Sequence, residues 1–338
     1  MEFTLKIERY DPDTDQGRLQ EFTVDAPETA TLLDVLDVVK DTVDGSVTYR
    51  KSCRMAVCGS CGMRMDGAAV LACKTPMAPL AEEGRVPVIS PMGNLPVIKD
   101  LVVDMDPFWA KFKAVKPWLE EDDRPPVKEW RVQQEELDRV MTEALCIQCG
   151  CCVSECNSME ADPDFLGPAA LAKAARFVND VRDRGGKSRL EIYNGPHGVW
   201  DCTRCYFCNQ RCPKGVHPRD AIAKVGAAIY QEGMHSDGGA RHAKVFVKST
   251  HQTGYLLETH LVPETVGPVN AIKEIPFALR LARAGKVPNP LKPHKAKKLD
   301  EVRKLNKLIE SQERATLEAA NAGPTRPPAD PAQAKESE

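Results

Sequence analysis

The cysteines are the residues of this chain whose spacing could do chemistry. One set has the spacing C-x4-C-x2-C, followed by a fourth cysteine after eleven further residues. This is the spacing of a plant-type [2Fe–2S] site, because two sulfide-bridged irons need two thiolates each. Gly59 and Gly62 stand between the members, where a missing Cβ would let backbone N–H groups approach the sulfurs. The set consists of Cys53, Cys58, Cys61 and Cys73.

A four-cysteine zinc site is the alternative for this set. Zinc sites prefer paired C-x2-4-C knuckles, whereas this set has one C-x2-C pair and a distant fourth cysteine. No histidine lies inside the loop, which disfavours a Rieske centre. The colour of the purified protein distinguishes an iron–sulfur site from a zinc site, since an iron–sulfur protein is brown and bleaches on reduction.

Two further sets repeat the run C-x2-C-x2-C-x3-C, and the second run ends in Pro213. Such a repeat is typical of two-cluster bacterial ferredoxins, in which the fourth cysteine of each run ligates the other cluster. Cys151 is left over, and we expect it to be a small buried side chain rather than a functional thiol. The rule predicts one [4Fe–4S] cluster on Cys146, Cys149, Cys152 and Cys212. It predicts a second cluster on Cys202, Cys205, Cys208 and Cys156.

Composition and the remaining motifs exclude several other functions. The formal net charge is −3 over 338 residues, so the basic footprint that nucleic acid demands is missing. The sequence has no G-x-G-x-x-G turn, and its seven histidines show no pairing typical of metal ligands or a catalytic triad. No apolar stretch approaches the roughly 18 residues that span a bilayer, and the first residues do not form a secretory signal. We therefore expect an electron carrier whose substrate chemistry belongs to partners.

The first hundred residues predict the elements that position the first cysteine set. Alternating apolar residues predict one strand near Phe3 and a second that ends near Val24. Thr31 opens a capping-box pattern with apolar residues at helical spacing behind it, which predicts a helix over about 31–42. Two strands, a helix and a cysteine loop follow one another in the order of a plant-type ferredoxin.

The rest of the chain predicts helices around the other two sets. An apolar stripe runs from Leu137 to Ala144, and prolines open predicted helices over 168–182 and 218–229, where a missing N–H costs nothing. The predicted fold class is α+β: an N-terminal β-grasp plant-type [2Fe–2S] ferredoxin domain, then an all-α bacterial-ferredoxin-like domain with two cubane clusters. The predicted segments are a first domain over 1–105, a connector over 106–132, a helical domain over 133–235, a basic C-terminal extension over 236–322 and a disordered tail over 323–338.

The basic extension carries eleven lysines and arginines between Lys273 and Lys307 with few acids. One interpretation is a surface that docks onto a partner subunit. The other is an anchor to an anionic membrane surface.

Several segments resemble the iron–sulfur subunit of succinate dehydrogenases and fumarate reductases. The resemblance covers roughly residues 1–235 and implies an electron-transfer subunit that relays electrons through three Fe–S clusters. It implies as partners an FAD-containing flavoprotein subunit, which the Cys53 set would face, and a membrane-associated acceptor subunit, which the Cys202 set would face. It also implies a place on the cytoplasmic side of the membrane, peripheral through these partners. The alternative is an iron–sulfur subunit of another flavoprotein oxidoreductase. The resembling segments are 52–61, 94–104, 116–117, 167–171 and 212–215.

The departures from this family are also informative. Most members lack a cysteine at the position of Cys205 and hold a [3Fe–4S] cluster there, so the extra thiolate predicts a second [4Fe–4S] cluster; the alternative is a [3Fe–4S] cluster with Cys205 nearby. Asn157, Ala161 and Thr203 stand where the family has the proline, tryptophan and histidine of a quinone site. These changes resemble the non-classical branch, whose third subunit is similar to heterodisulfide reductase. Ala56 replaces a family glycine in the first loop.

Overall fold

The computed structural model describes residues 1–120, 129–234, 237–286 and 294–321. The chain packs into two compact units, neither of which is continuous in sequence. All thirteen cysteines lie in the first unit, which therefore positions every predicted cluster site. The first unit comprises Met1–Trp118, Leu137–Phe177 and Cys202–Ile222. The second comprises Leu119–Glu136, Val178–Asp201 and Ala223–Glu338.

A five-stranded sheet forms the base of the first unit, with the strand order β2-β1-β5-β3-β4. The predicted opening hairpin is confirmed, because β1 and β2 pair antiparallel along their whole length. The short β5 lies parallel to β1 and antiparallel to β3, so it joins the hairpin to the second strand pair. The strands are β1 (Glu2–Asp11), β2 (Gln16–Asp25), β3 (Gly62–Met65), β4 (Ala68–Leu71) and β5 (Val88–Ser90).

One helix covers the apolar face of this sheet. Helix α1 (Leu32–Val38) starts at the predicted capping box, in which Thr31 Oγ1 accepts the N–H of Asp34 and the Asp34 carboxylate accepts the N–H of Thr31. It continues as a π-helical turn over Val39–Val43. The predicted helix over 31–42 is thus confirmed. Its apolar stripe is fully buried because those side chains belong to one core cluster with the inward-facing residues of the sheet.

A buried ion pair fixes the segment that leads into the first cysteine loop. The Arg9 guanidinium donates to Asp100 from Nε and to Asp44 from Nη1, each at 2.9 Å. Asp100 also accepts the backbone N–H of Thr48 at 2.9 Å. Hydrogen bonds from Ser46 and then the Arg9 charge hold the pKa of the Asp44 carboxyl well below its ordinary value. Asp100 lies in the turn of a small hairpin, whose strands are β6 (Val97–Lys99) and β7 (Val102–Val103).

The helices between residues 78 and 231 are mostly short. The predicted helices near 137–144 and 218–229 are confirmed, whereas the helix predicted over 168–182 ends earlier, at Val178. It stops because the Asp180 carboxylate accepts the N–H of Arg182, an Asx turn that replaces the helical hydrogen bond. The helices are α2 (Ala78–Glu82), α3 (Asp106–Ala114), α4 (Gln134–Ala144), α5 (Cys151–Ser154), α6 (Asn157–Ala161), α7 (Gly167–Val178), α8 (Gly186–Asn194), α9 (Phe207–Arg211) and α10 (Pro218–Gln231).

The basic extension forms helices within the second unit. Asp237 caps the first of them by accepting the N–H of Gly239 at 2.7 Å. Across the described residues, we find no helix that combines the length and the apolar character needed to cross a membrane. Residues 121–128 of the predicted connector and the predicted disordered tail lie outside the described residues. The helices are α11 (Gly238–Thr253), α12 (Glu258–Val266), α13 (Pro268–Lys273), α14 (Ile275–Arg283) and α15 (Leu299–Asn321).

Candidate metal centres

Backbone N–H groups point at the sulfurs of the first cysteine set. Cys53 Sγ accepts three of them at 3.3–3.4 Å, and Cys73 Sγ accepts the N–H of Ala56 at 3.3 Å. Hydrogen bonds of this kind favour the thiolate over the thiol and are characteristic of sulfurs that ligate iron. The loop therefore fits a group that needs four thiolates. The three donors to Cys53 are Met55, Val57 and Cys58.

Positive φ angles produce this inward orientation of the N–H groups. Arg54 and Ala56 have φ of 57° and 55°, and Gly59 follows with 74°. Alternating left-handed residues curl the backbone into an anion-binding concavity. Ala56 thus occupies a conformation that glycine adopts without strain, which explains why a glycine serves at this position elsewhere in the family it resembles.

The thiols of the first set differ in how easily they lose a proton. The Ser60 hydroxyl and neighbouring backbone N–H groups lower the pKa of the exposed Cys58 to about 6. Burial raises the pKa of Cys61 to about 12. Because metal ligation requires thiolates, loading of this site releases a proton from Cys61, whereas Cys58 is already ionised at neutral pH.

Gly59 and Gly62 serve a purpose that the sequence did not reveal. A Cβ on Gly59 would lie 2.9 Å from the Cα of Cys149, and a Cβ on Gly62 would lie 2.9 Å from its carbonyl oxygen. The expectation that the missing Cβ atoms let backbone N–H groups approach the sulfurs stays a prediction; the donors to these sulfurs include Cys53, the residues from Met55 to Cys58, and Ser60. The glycines admit the second cysteine loop against the first.

The two C-x2-C-x2-C-x3-C runs are a structural repeat as well as a sequence repeat. In the first run Gln148 and Gly150 have φ of 56° and 80°, and in the second run Arg204 and Tyr206 have φ of 57° and 67°. A short helix begins directly after each pair, α5 after Gly150 and α9 after Tyr206. The N–H of Gln148 bonds to Cys146 and that of Arg204 to Cys202, so equivalent sulfurs have equivalent donors.

Two cavities collect the cysteines of these runs, and each takes three from one run and the fourth from the other. Small or apolar side chains also line both, including Ala169 and Ala172 in the first and Phe165 and Ile222 in the second. Four thiols around one cavity are the donor set that a cubane cluster requires. The first cavity is lined by Cys146, Cys149, Cys152 and Cys212. The second cavity is lined by Cys156, Cys202, Cys205 and Cys208.

The fourth cysteine of each run is also surrounded by N–H donors. Cys156 immediately precedes α6, and the N–H groups of Ser158 and Met159 bond to its sulfur. Cys212 Sγ accepts the N–H of Val216 at 3.3 Å. These donors favour the thiolate, as at the first set, and both cavities therefore fit an iron–sulfur cluster.

The leftover Cys151 has no exposed surface and packs into the apolar core beneath the sheet. Its thiol hydrogen bonds to Cys149 and is the main cause that lowers the pKa of Cys149 to about 7. The expected buried position is therefore observed.

The positions of the family's quinone site hold small polar contacts in this chain. Thr203 lines the second cavity, and its N–H donates to the buried Ser158 hydroxyl at 3.1 Å. Asn157 and Ala161 lie on the surface. None of these three side chains offers the indole ring of the family's tryptophan or the imidazole of its histidine.

Arg219 is a residue of the second cavity that sequence reasoning missed. Its guanidinium carbon lies 4.5 Å from the ring centroid of Tyr206, and both side chains line the cavity with the four cysteines. Nη1 donates to Asp220 at 3.1 Å. Nε is buried and has no hydrogen-bond partner within the described part of the chain. Its position seven residues after Cys212, at the start of α10, was the available signal.

The fold and these three cysteine sites define an electron-transfer iron–sulfur protein with [2Fe–2S] and [4Fe–4S] clusters. Residues 4–110 match the family described as "2Fe-2S iron-sulfur cluster binding domain", and residues 144–216 match the "4Fe-4S dicluster domain". The chain belongs to the family of iron–sulfur subunits of succinate dehydrogenase and fumarate reductase, whose members are the electron-transfer subunits of those complexes. The predicted family, the fold class and the presence of [2Fe–2S] and [4Fe–4S] clusters are confirmed.

Two relatives and one solved structure illustrate the likeness. The fumarate reductase iron–sulfur subunit of Mycobacterium tuberculosis is 42% identical over 223 residues, which are 65% of this chain and 90% of the relative. The 8-methylmenaquinol:fumarate reductase iron–sulfur subunit of Wolinella succinogenes is 35% identical over 318 residues, 92% of this chain and 99% of the relative. A chain of the Mycobacterium smegmatis Sdh1 complex in the apo form shares the fold with a TM-score of 0.62 and 24% identity, over 70% of this chain and 98% of that one.

Proposed function

We propose that this chain passes electrons between the FAD of a flavoprotein subunit, where succinate and fumarate interconvert, and a membrane-associated acceptor subunit. The [2Fe–2S] cluster faces the flavoprotein and is held by Cys53, Cys58, Cys61 and Cys73. The middle [4Fe–4S] cluster is held by Cys146, Cys149, Cys152 and Cys212. The distal cluster is held by Cys156, Cys202, Cys205 and Cys208. When bound, the clusters supply one-electron redox chemistry, and the protein supplies the ligands, the N–H donors and the exclusion of water.

In this proposal the distal cluster is a [4Fe–4S] cluster, and the position of Cys205 is the observation that supports this assignment. The side chain of Cys205 lines the same cavity as the other three cysteines of its set. A fourth thiolate at that wall provides the ligand that a fourth iron needs, which a three-cysteine site lacks. The rival is a [3Fe–4S] cluster with Cys205 merely nearby.

The electron acceptor on the membrane side is a partner subunit rather than a quinone bound by these loops. Thr203 and Ser158 bond to each other where the family has its quinone-binding side chains. The likeness to the Wolinella subunit extends over 92% of this chain and so includes the basic extension, whereas the M. tuberculosis relative spans 65%. Both observations support the non-classical branch, with a third subunit similar to heterodisulfide reductase.

The predicted segments and location belong to the same proposal. The first domain ends near residue 105, and the helical domain begins near 133 after a connector. The complex places this subunit on the cytoplasmic side of the membrane, peripheral through its partners. The name of the Wolinella relative supports a quinol as the membrane-side redox partner, handled by the other subunits of the complex.

Iron content and EPR of the anaerobically purified complex test the proposal directly. We expect about ten irons per chain, and little signal before reduction with dithionite. Cys205→Ala should lose about one iron and gain an oxidised three-iron signal, while the matched Cys151→Ala variant should keep all irons. About nine irons and a three-iron signal in the unmodified protein would overturn the distal assignment.

Quinone binding to the purified complex tests the second part. We expect a photoreactive quinone analogue to label partner subunits and to leave the segments around Ser158 and Thr203 unlabelled. Labelling of those segments, competed by excess quinol, contradicts the proposed partner acceptor.

A further inference from the structure

Arg219 lies against the distal cysteine set, and its buried Nε–H has no acceptor among the described residues. Its side chain is only 20% exposed, with the guanidinium stacked on the Tyr206 ring at 4.5 Å. The backbone N–H of the same residue bonds to the Asn209 carboxamide at 2.8 Å, which fixes the start of α10 beside Cys208. The stack and the helix start together hold the guanidinium at the cavity wall.

The Nε–H of Arg219 requires an acceptor that the described part of the chain does not provide. Nη1 is satisfied by Asp220, whose carboxylate also accepts from Asn209 at 2.9 Å. Nε is shielded from solvent and has no hydrogen-bond partner among the described residues. A buried guanidinium donor without an acceptor is costly, so an orphan of this kind indicates an acceptor belonging to a bound group. The cavity that Arg219 lines is the one that collects the four distal cysteines.

We propose that Arg219 sets the potential of the distal cluster, by presenting its Nε–H and its positive charge to the sulfurs of that cluster. The inference rests on the proposed function, since it requires a cluster in the Cys202 set. Reduction transfers one electron from the preceding cluster and adds one negative charge to the group that the cysteines hold. A fixed cation and a donor at its edge stabilise the reduced form more than the oxidised form, and they raise the reduction potential.

Two neighbouring charged residues also influence the potential of the distal cluster, and both should do so less than Arg219. Asp220 partly offsets the guanidinium charge, but it lies on the Nη1 side, away from the unpaired Nε. Arg204 also belongs to the distal loop, yet its side chain is exposed, so water screens its charge. Arg219 is the less exposed of the two and therefore acts more strongly.

A redox titration of the complex followed by EPR tests the inference, with three variants. Arg219→Gln should lower the equilibrium constant for reduction of the distal cluster at least tenfold. This corresponds to a fall of about 59 mV in its midpoint potential, since one electron is transferred. Arg219→Lys keeps the charge without the planar Nε–H and should recover part of the loss. Arg204→Gln removes an exposed charge from the same loop and should shift the potential less. An unchanged or raised potential in Arg219→Gln overturns the inference.

Two further readouts separate this inference from the proposed function and from a folding defect. The iron content and the oxidised EPR spectrum report the cluster type. A three-iron distal centre would contradict the [4Fe–4S] assignment, but the effect of Arg219 on the midpoint potential could still be measured on that centre. The midpoint of the middle cluster should stay constant in all variants. If Arg219→Gln does not assemble, Tyr206→Leu removes the stacking platform and leaves the charge, and it should lower the distal midpoint relative to that of the unmodified protein. No shift in that variant would contradict the proposed stack.

Discussion

Gly59 and Cys149 lie in direct contact, since a Cβ atom on Gly59 would stand 2.9 Å from the Cα and Cβ atoms of Cys149. This contact joins the [2Fe–2S] loop to the first [4Fe–4S] loop. Asn94 strengthens the junction, because its side-chain amide donates to the carbonyl oxygens of Val153 and Cys156. Two redox centres on loops that touch have a short path for electrons.

Gly59→Ala should disrupt this junction. The added Cβ meets backbone atoms that cannot move cheaply, and φ of 74° is strained for alanine, so we expect a loss of stability of about 3 kcal/mol. Gly67→Ala is the matched control, because its φ is 76° but nothing lies within 4 Å of its Cβ. It should cost about 1 kcal/mol. Thermal midpoints and the rate of electron transfer between the first two clusters measure the difference, and equal effects in both variants would show that the contact is unimportant.

Ala56→Gly should stabilise the protein. Ala56 has φ of 55° and donates its N–H to Cys73, so the left-handed conformation is required and glycine adopts it without strain. We expect a gain of about 1 kcal/mol, read as a higher thermal midpoint with an unchanged [2Fe–2S] spectrum. Ala81→Gly in α2 serves as the control and should lower the midpoint, since glycine weakens a helix. A lower midpoint in Ala56→Gly would refute the strain argument.

Cys151→Ala should cost stability but no iron. The Cys151 thiol is fully buried in the core, and its loss removes about 1 kcal/mol of packing. Cys152→Ala, one residue along, removes a side chain of the first cavity and should abolish the middle cluster. Iron analysis and visible absorption of the two variants distinguish the roles; loss of iron from Cys151→Ala would assign it a ligand's role.

Alkylation of the iron-free protein should reveal the ionised Cys58. Its pKa of about 6 lies below that of an ordinary thiol, so the folded chain holds the thiolate above pH 6 and loses it as the pH falls through 6. We expect half-maximal alkylation of Cys58 near pH 6, measured by mass spectrometry against pH. Cys61, with a pKa of about 12, should resist over the same range. Ser60→Ala removes the principal hydrogen bond and should move the Cys58 profile to higher pH, and an unmoved profile would refute that cause.

Local patterns in the sequence predicted much of the fold. The Thr31 capping box predicted the start of α1, and Pro218 predicted the start of α10, because both signals act within one helical turn. The end of α7 was misplaced, since the Asp180 side chain competes for the backbone there. The parallel pairing of β1 with β5 gave no local signal, because the paired residues lie about eighty positions apart in the chain.

The sequence by itself determined the chemistry of this protein. Cluster types follow from the number and spacing of thiolates, and these can be read directly from the order of residues. Only the tertiary structure decided what surrounds those thiolates. The approach of Cys149 to Gly59 and the placement of Arg219 on Tyr206 depend on how separate loops pack, and the spacing of residues along the chain carries no information about packing between distant segments.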